Sequence, residues 1–218
     1  MTLFLLIRHA VTDVTGKRLS GRLPGIHLSP AGREQAARLA ERLRPLPIRR
    51  IYASPLERCV ETAEAIAGGA HLPVHHLPEL LEVSYGRWSG RPLAQLARTR
   101  LWTRIQQAPS AVRFPDGETL SEVQRRSVAA LDQIADRGGQ GPIAVVTHAD
   151  VIRLVLAHYA GVHIDLFQRI VVGPASVSAV ALGDRIPRIL RVNDTGSLED
   201  LHRRGGGAAR RRRVREGS

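Results

Sequence analysis

The chain has one cysteine, one methionine and aromatic residues at only 4% of its 218 positions. A single cysteine, Cys59, excludes an internal disulfide framework and a cysteine-built metal site, and it suits a reducing compartment. With so few rings, the core must be built from Leu, Val, Ile and Ala, and at 43% hydrophobic the chain has enough of them. No apolar run reaches the length needed to cross a bilayer. The first run, Leu3-Phe4-Leu5-Leu6-Ile7, is too short for a signal-peptide core and ends at Arg8. The expected location is therefore the cytoplasm, with no membrane partner.

Acidic residues are also in short supply, at 20 against 32 Lys and Arg, for a net charge of +12. Half of that excess lies in residues 203–218, where seven arginines and one glutamate sit among glycines. Such a segment cannot offset its ordering entropy by burial. The expected organisation is one domain over residues 1–198 and a disordered basic tail over residues 199–218. The tail suits at most weak, non-specific contact with RNA or another polyanion. The remaining positive charge fits a cleft that attracts anionic substrates.

Short apolar strands alternate with amphipathic helices. Residues 3–7, 51–53, 143–147, 177–182 and 188–193 read as strands, with a shorter extended piece near Val74. Ser29 and Pro30 have the form of an N-cap and first helical residue for a helix over residues 31–44. Ser54 and Pro55 are expected to open the next helix, ended by Gly68 and Gly69. Residues 93–98 and 101–107 read as short helices. Thr119 and Glu122 have capping-box spacing for a helix ending near Asp136, and residues 151–159 form the last helix. Gly183 and Asp184 mark a turn between the final strands. The pattern predicts an α/β fold, a three-layer α/β/α sandwich around a mostly parallel sheet.

Ligands of such sheets bind beyond the carboxyl ends of strands. Three ends stand out: Arg8-His9, Ser54-Pro55 leading to Arg58, and Thr147-His148. Guanidinium groups match phosphate oxygens, and histidines can supply a nucleophile and a further donor. Glu82, in the irregular stretch of residues 80–91, offers the acid or base that such an inventory lacks. Cys59 reads as a small core residue, and His71, His75 and His76 as a solvated edge with no carboxylate at ligand spacing. His27 reads as a surface residue. Tyr85 and Trp88 fit a pocket wall or loop packing equally, and Glu118 fits a helix start or a place lining the site.

Taken together, these residues resemble the histidine phosphatase superfamily, phosphoglycerate mutase-like branch, over roughly residues 2–195. Arg8-His9 is similar to the family's Arg-His-Gly signature, and Ser20-Gly21 to its substrate-loop pair. The run Ser54-Pro55-Leu56-Glu57-Arg58-Cys59-Val60-Glu61-Thr62-Ala63 resembles a long, specific motif. Residues 82–90, residues 115–119 and Thr147-His148 complete the ordered set. The resemblance implies catalysis by His9, Glu82, His148, Arg8 and Arg58. It implies substrate contacts from Arg8, Thr15, Ser20, Gly21, Arg58 and the Ala149 amide. His9 would be the nucleophile, made neutral by its cationic neighbours, a protonated His148 would help hold the phosphoryl oxygens, and Glu82 would be the proton donor. No metal or cofactor is implied, and the partner is a small phosphorylated substrate. Departures are Ala10 and Ala149 in place of glycines, which predicts backbone strain if those sites need positive φ, and Thr15 where many relatives have Asn. The implied activity is a metal-independent phosphatase working through phosphohistidine, favoured by the short span from Glu82 to His148. The alternatives are a cofactor-dependent phosphoglycerate mutase and, more remotely, an inactive module with an RNA-attracting tail.

Overall fold

The computed structural model describes residues 1–138, 141–183 and 186–196. The expected tail over residues 199–218 and the turn position Asp184 lie outside the described residues. Chain order runs β1 (Thr2–Arg8), α1 (Pro30–Leu43), β2 (Arg50–Ala53), α2 (Glu57–Ala70) and β3 (Val74–His76). Then come α3 (Leu93–Leu96), α4 (Arg100–Gln107), α5 (Leu120–Asp136), β4 (Ile143–Thr147), α6 (Ala149–Tyr159), β5 (Val177–Leu182) and β6 (Arg188–Asp194). Among the described residues, no helix is long and apolar enough to cross a membrane.

The six strands form one sheet in the order β3-β2-β4-β1-β5-β6. Pairings from β3 through β1 are parallel, while β5 runs antiparallel to both β1 and β6. Strand alternation builds the three layers. Leu3, Leu5 and Ile7 pack with Leu39 and Leu43 of α1 and Ala63 and Ile66 of α2. Phe4 and Leu6 face the other way, onto Leu131 and Ile134 of α5 and Ile152 and Val155 of α6. A third apolar cluster around Val83, Trp88, Phe114 and Phe167 packs the segment between α2 and α5 against α6.

Helix starts follow local chemistry. Ser29 accepts from the Gly32 N–H at α1, and Thr119 and Glu122 form a complete capping box at α5. The second helix departs from expectation at both ends. Ser54 N–H still donates to the Val146 carbonyl at 2.9 Å, so the sheet ladder runs past the expected start and the helix opens at Glu57. It also passes through Gly68 and Gly69, because His71 at φ 52° supplies the left-handed cap.

Because β1 feeds α1 on one face and β4 feeds α6 on the other, the carboxyl ends of these adjacent strands flank a crevice.

Candidate active site

The crevice holds the predicted histidines. His9 N–H donates to the Thr147 carbonyl at 3.0 Å, continuing the β1–β4 ladder one step beyond Arg8. His148 is the backbone N-cap of α6, but its side chain does not cap that helix. Its Nε2 instead meets Ser54 Oγ at 2.9 Å, and the two imidazoles stand edge to face with centroids 5.3 Å apart. Arg58 reaches in from the first turn of α2, 2% exposed, and donates from Nη2 to the Gly21 carbonyl at 2.7 Å. Arg8 donates from Nη1 to the Val172 carbonyl at 2.8 Å. Arg58 Nη1 and Arg8 Nε are buried donors without a protein partner among the described residues. Two donors so placed suit an anion.

Protonation states follow from burial. His9 Nδ1 lies 2.7 Å from the Ala10 carbonyl, which can only accept, so the proton sits on Nδ1 and Nε2 carries the lone pair. Burial first, then the Arg58 charge, push the His9 pKa down to about 3, against the opposing Ala10 bond. The cationic neighbours expected to keep His9 neutral are thus secondary to desolvation. Burial and Arg58 likewise hold His148 well below the usual histidine range. The long 3.4 Å contact from Arg58 Nη2 to its Nδ1 places an acceptor there. In the free protein His148 is therefore neutral.

Glu82 shifts the opposite way. Burial, then repulsion from Asp150, raise its pKa to about 7, against the Val83 N–H, Arg58 and Arg8. Its Oε2 lies 3.9 Å from His148 Nδ1. The segment carrying it is docked by backbone contacts. Glu118 N–H donates to the Ser84 carbonyl at 2.9 Å, and a Cβ on Gly117 would come within 2.2 Å of that oxygen, so only glycine fits. Thr147 Oγ1 ties the same segment to β4 through the Leu80 carbonyl at 2.7 Å.

The substrate-loop candidates are arranged unequally. Gly21 is buried at φ 53°, where a Cβ would come within 2.9 Å of Ser89 Oγ, and its carbonyl holds Arg58. Ser20 is half-buried and accepts from Leu23 N–H through its carbonyl. Thr15 Oγ1 accepts from Thr12 N–H at 2.9 Å and pairs with Thr12 Oγ1, so this hydroxyl already shapes its own turn. Ala149 opens α6, where backbone N–H groups point beyond the helix end.

The strain expected at Ala10 and Ala149 is not there, because neither has positive φ. The left-handed residue beside His9 is Ala175, at φ 53°, whose N–H donates to the Arg8 carbonyl at 3.0 Å. Cys59 is buried as expected, yet its Sγ also lies 3.4 Å from His148 Nε2. Burial raises that thiol's pKa and keeps it protonated. Tyr85 and Trp88 pack in the third cluster, with Tyr85 Oη donating to Asp150 at 2.7 Å. His75 and His76 lie exposed on β3. His27 is not idle, since it pairs with Glu61 of α2. Sequence alone gives Ser54 no contact with His148, and it gives Asp150, Arg22 and Arg126 no role at the site. Of these, Asp150 carried a signal, two positions after His148 on the first turn of a helix.

Buried guanidinium donors around a neutral imidazole, at the strand ends of an α/β sheet, belong to phosphoryl-transfer chemistry. The chain matches the histidine phosphatase superfamily (branch 1) over residues 4–195, and it belongs to that family of enzymes. It is 29% identical over 210 residues to phosphoserine phosphatase 1 of Hydrogenobacter thermophilus, covering 93% of this chain and 97% of that one. It is also 29% identical over 177 residues to the probable phosphoglycerate mutase GpmB of Yersinia enterocolitica, covering 80% and 82%. The solved structure of Bacillus stearothermophilus YhfR superposes with a TM-score of 0.84 at 26% identity, covering 90% of this chain and 98% of that one.

Proposed function

We propose that this protein hydrolyses a small phosphate monoester through a phosphohistidine on His9, in the cytoplasm and without a metal. The observation that carries the reading is the His9 Nδ1–H bond to the Ala10 carbonyl, which leaves a lone pair on buried Nε2. Nε2 attacks phosphorus in line, and the bond to the ester oxygen breaks as the protonated Glu82 gives its proton to the leaving alcohol. Glu82, now a carboxylate, takes a proton from water, whose oxygen attacks phosphorus and frees phosphate and neutral His9. Arg8, Arg58, His148 and the Ala149 amide hold the phosphoryl oxygens. Thr15, Ser20 and Gly21 line the approach. An arriving phosphate dianion favours protonation of the otherwise neutral His148. Two classes of titratable group pushed apart by burial, a base made neutral and an acid kept protonated, divide the roles.

Phosphoserine is the first candidate substrate, by likeness to the Hydrogenobacter enzyme. The likeness to a probable phosphoglycerate mutase supports the alternative, transfer to a second substrate hydroxyl. An assay of 2- to 3-phosphoglycerate isomerisation beside phosphate release separates them. Incubation with phosphoserine and an alkaline quench is expected to trap phosphohistidine on His9, detected by mass spectrometry. His9→Ala is expected to lose the adduct and at least about a thousandfold of phosphate release. A chelator is expected to leave wild-type activity undiminished. Full activity of His9→Ala would overturn the reading.

A further inference from the structure

Glu118 stands just before α5, and its carboxylate collects donors from three separate segments. Ser84 N–H donates to Oε2 at 2.9 Å, Arg22 Nη2 to the same oxygen at 2.8 Å, and Arg126 Nε to Oε1 at 3.1 Å. Both arginines turn a further N–H onto one atom, the Glu82 carbonyl oxygen. Arg22 Nε donates at 2.8 Å and Arg126 Nη2 at 3.2 Å. Arg22 directly follows Gly21, whose carbonyl receives Arg58. One carboxylate thus links the substrate loop, the Glu82 segment and α5. All three charged side chains are half-buried, where charge-assisted bonds hold geometry better than exposed pairs do.

We propose that Glu118 is the positioning residue for Glu82. Through Arg22 and Arg126 it fixes the backbone that aims the Glu82 carboxyl at the leaving oxygen. The proposal rests on the reading of Glu82 as the acid. The Glu82 carboxyl itself is faced by Asp150 and His148 from α6 and its cap, Arg8 from β1, Arg58 and Cys59 from α2, and Tyr85 from its own segment. Glu118 and the two arginines act on its backbone. Glu118 also compensates two guanidinium charges that would otherwise favour ionised Glu82.

The test compares wild type, Glu118→Gln and Glu82→Gln on phosphoserine, whose alcohol leaves only when protonated, and on p-nitrophenyl phosphate, whose phenolate leaves unaided. Glu118→Gln is expected to lower kcat/KM, which reports phosphoryl transfer to His9 and not the later hydrolysis common to both esters, about tenfold on phosphoserine and less than about threefold on p-nitrophenyl phosphate. The alkaline limb of kcat/KM on phosphoserine is expected to move to lower pH. Should Glu118→Gln not fold, Arg22→Gln, on the more exposed side of the network, is expected to show the same selectivity at smaller size. Equal losses of kcat/KM on both esters with an unmoved limb, in whichever variant folds, overturn the proposal. Wild-type turnover of phosphoserine by Glu82→Gln removes the underlying assignment of the acid instead. An inactive Glu82→Gln beside a wild-type-like Glu118→Gln defeats the positioning role alone.

Discussion

Two halves of the site are held in different ways. His9, Arg58 and His148 stand on or just past strand ends and are 7%, 2% and 0% exposed. Their backbones are fixed by sheet ladders and helix starts. The segments around Gly21–Leu28 and Glu82–Ser84 have no ladder of their own. Beside the backbone contacts of Leu28 with Thr12 and of Ser84 with Glu118, they are held by side chains from elsewhere: Arg58 on Gly21, Glu57 on Gly25, Glu61 on Leu28, and Arg22 and Arg126 on Glu82. Buried polar groups in the first half cost much when disturbed. Apart from the buried Arg58 bond to Gly21, the ties of the loop over Gly21–Leu28 are partly exposed, so its far end can yield as substrate enters, while the half-buried Glu118 network holds the Glu82 segment. The groups proposed to hold the phosphoryl oxygens are set by secondary structure, and those proposed to admit the rest of the substrate are set largely by charge.

The largest effect among the remaining tests belongs to the buried half. Arg58→Met keeps an unbranched, though shorter, apolar stem and removes the donors. It is expected to lower kcat/KM about 100- to 1000-fold. The melting temperature is expected to fall by a few degrees, since the Gly21 carbonyl loses its buried donor. A loss below about tenfold would mean that the strand ends are not the phosphate clamp.

Next in size is the response to pH, which reads both halves at once. His9 is neutral above about 3, and Glu82 is protonated below about 7. Their product gives full activity between those values and a decline as pH rises through the upper one, about tenfold per unit. After correction for the substrate's own ionisation, kcat/KM is expected to fall on the alkaline side near 7. An acid limb is expected only far below neutrality. A limb near pH 6.5 that rises with pH would show an ordinary, exposed histidine and break the contrast between the halves.

The same division decides how much could be read from sequence. Residues 3–7 and 143–147 announced buried strands by their apolar runs, and His9 and His148 stood out because each follows one. Arg58 was legible by its place after Ser54-Pro55, although the helix begins at Glu57. Glu82 was legible chiefly through family resemblance. The ties were hidden, because Arg22 and Glu82, or Glu57 and Gly25, meet only after folding, across 60 and 32 positions. The neutral His9 was expected but its cause was hidden, since desolvation dominates His9, His148 and Glu82, and burial depth is no property of a motif.

The smallest expected effect tests whether the charged half is separable from the buried one. Glu61 accepts from Leu28 N–H at 3.0 Å and pairs with His27, fastening the far end of the substrate loop to the helix that carries Arg58. His27 is 62% exposed, so the pair is screened and worth less than about 1 kcal/mol. In Glu61→Gln the amide oxygen can still accept from Leu28, and only the charge is lost. KM is expected to rise roughly two- to threefold with kcat unchanged, because the loop loosens while the strand-end groups keep their places. Steady-state kinetics on phosphoserine check this. A fall in kcat comparable to that of Arg58→Met would mean that the loop and the phosphate clamp move as one body, and that α2 transmits strain from its exposed face to its buried arginine.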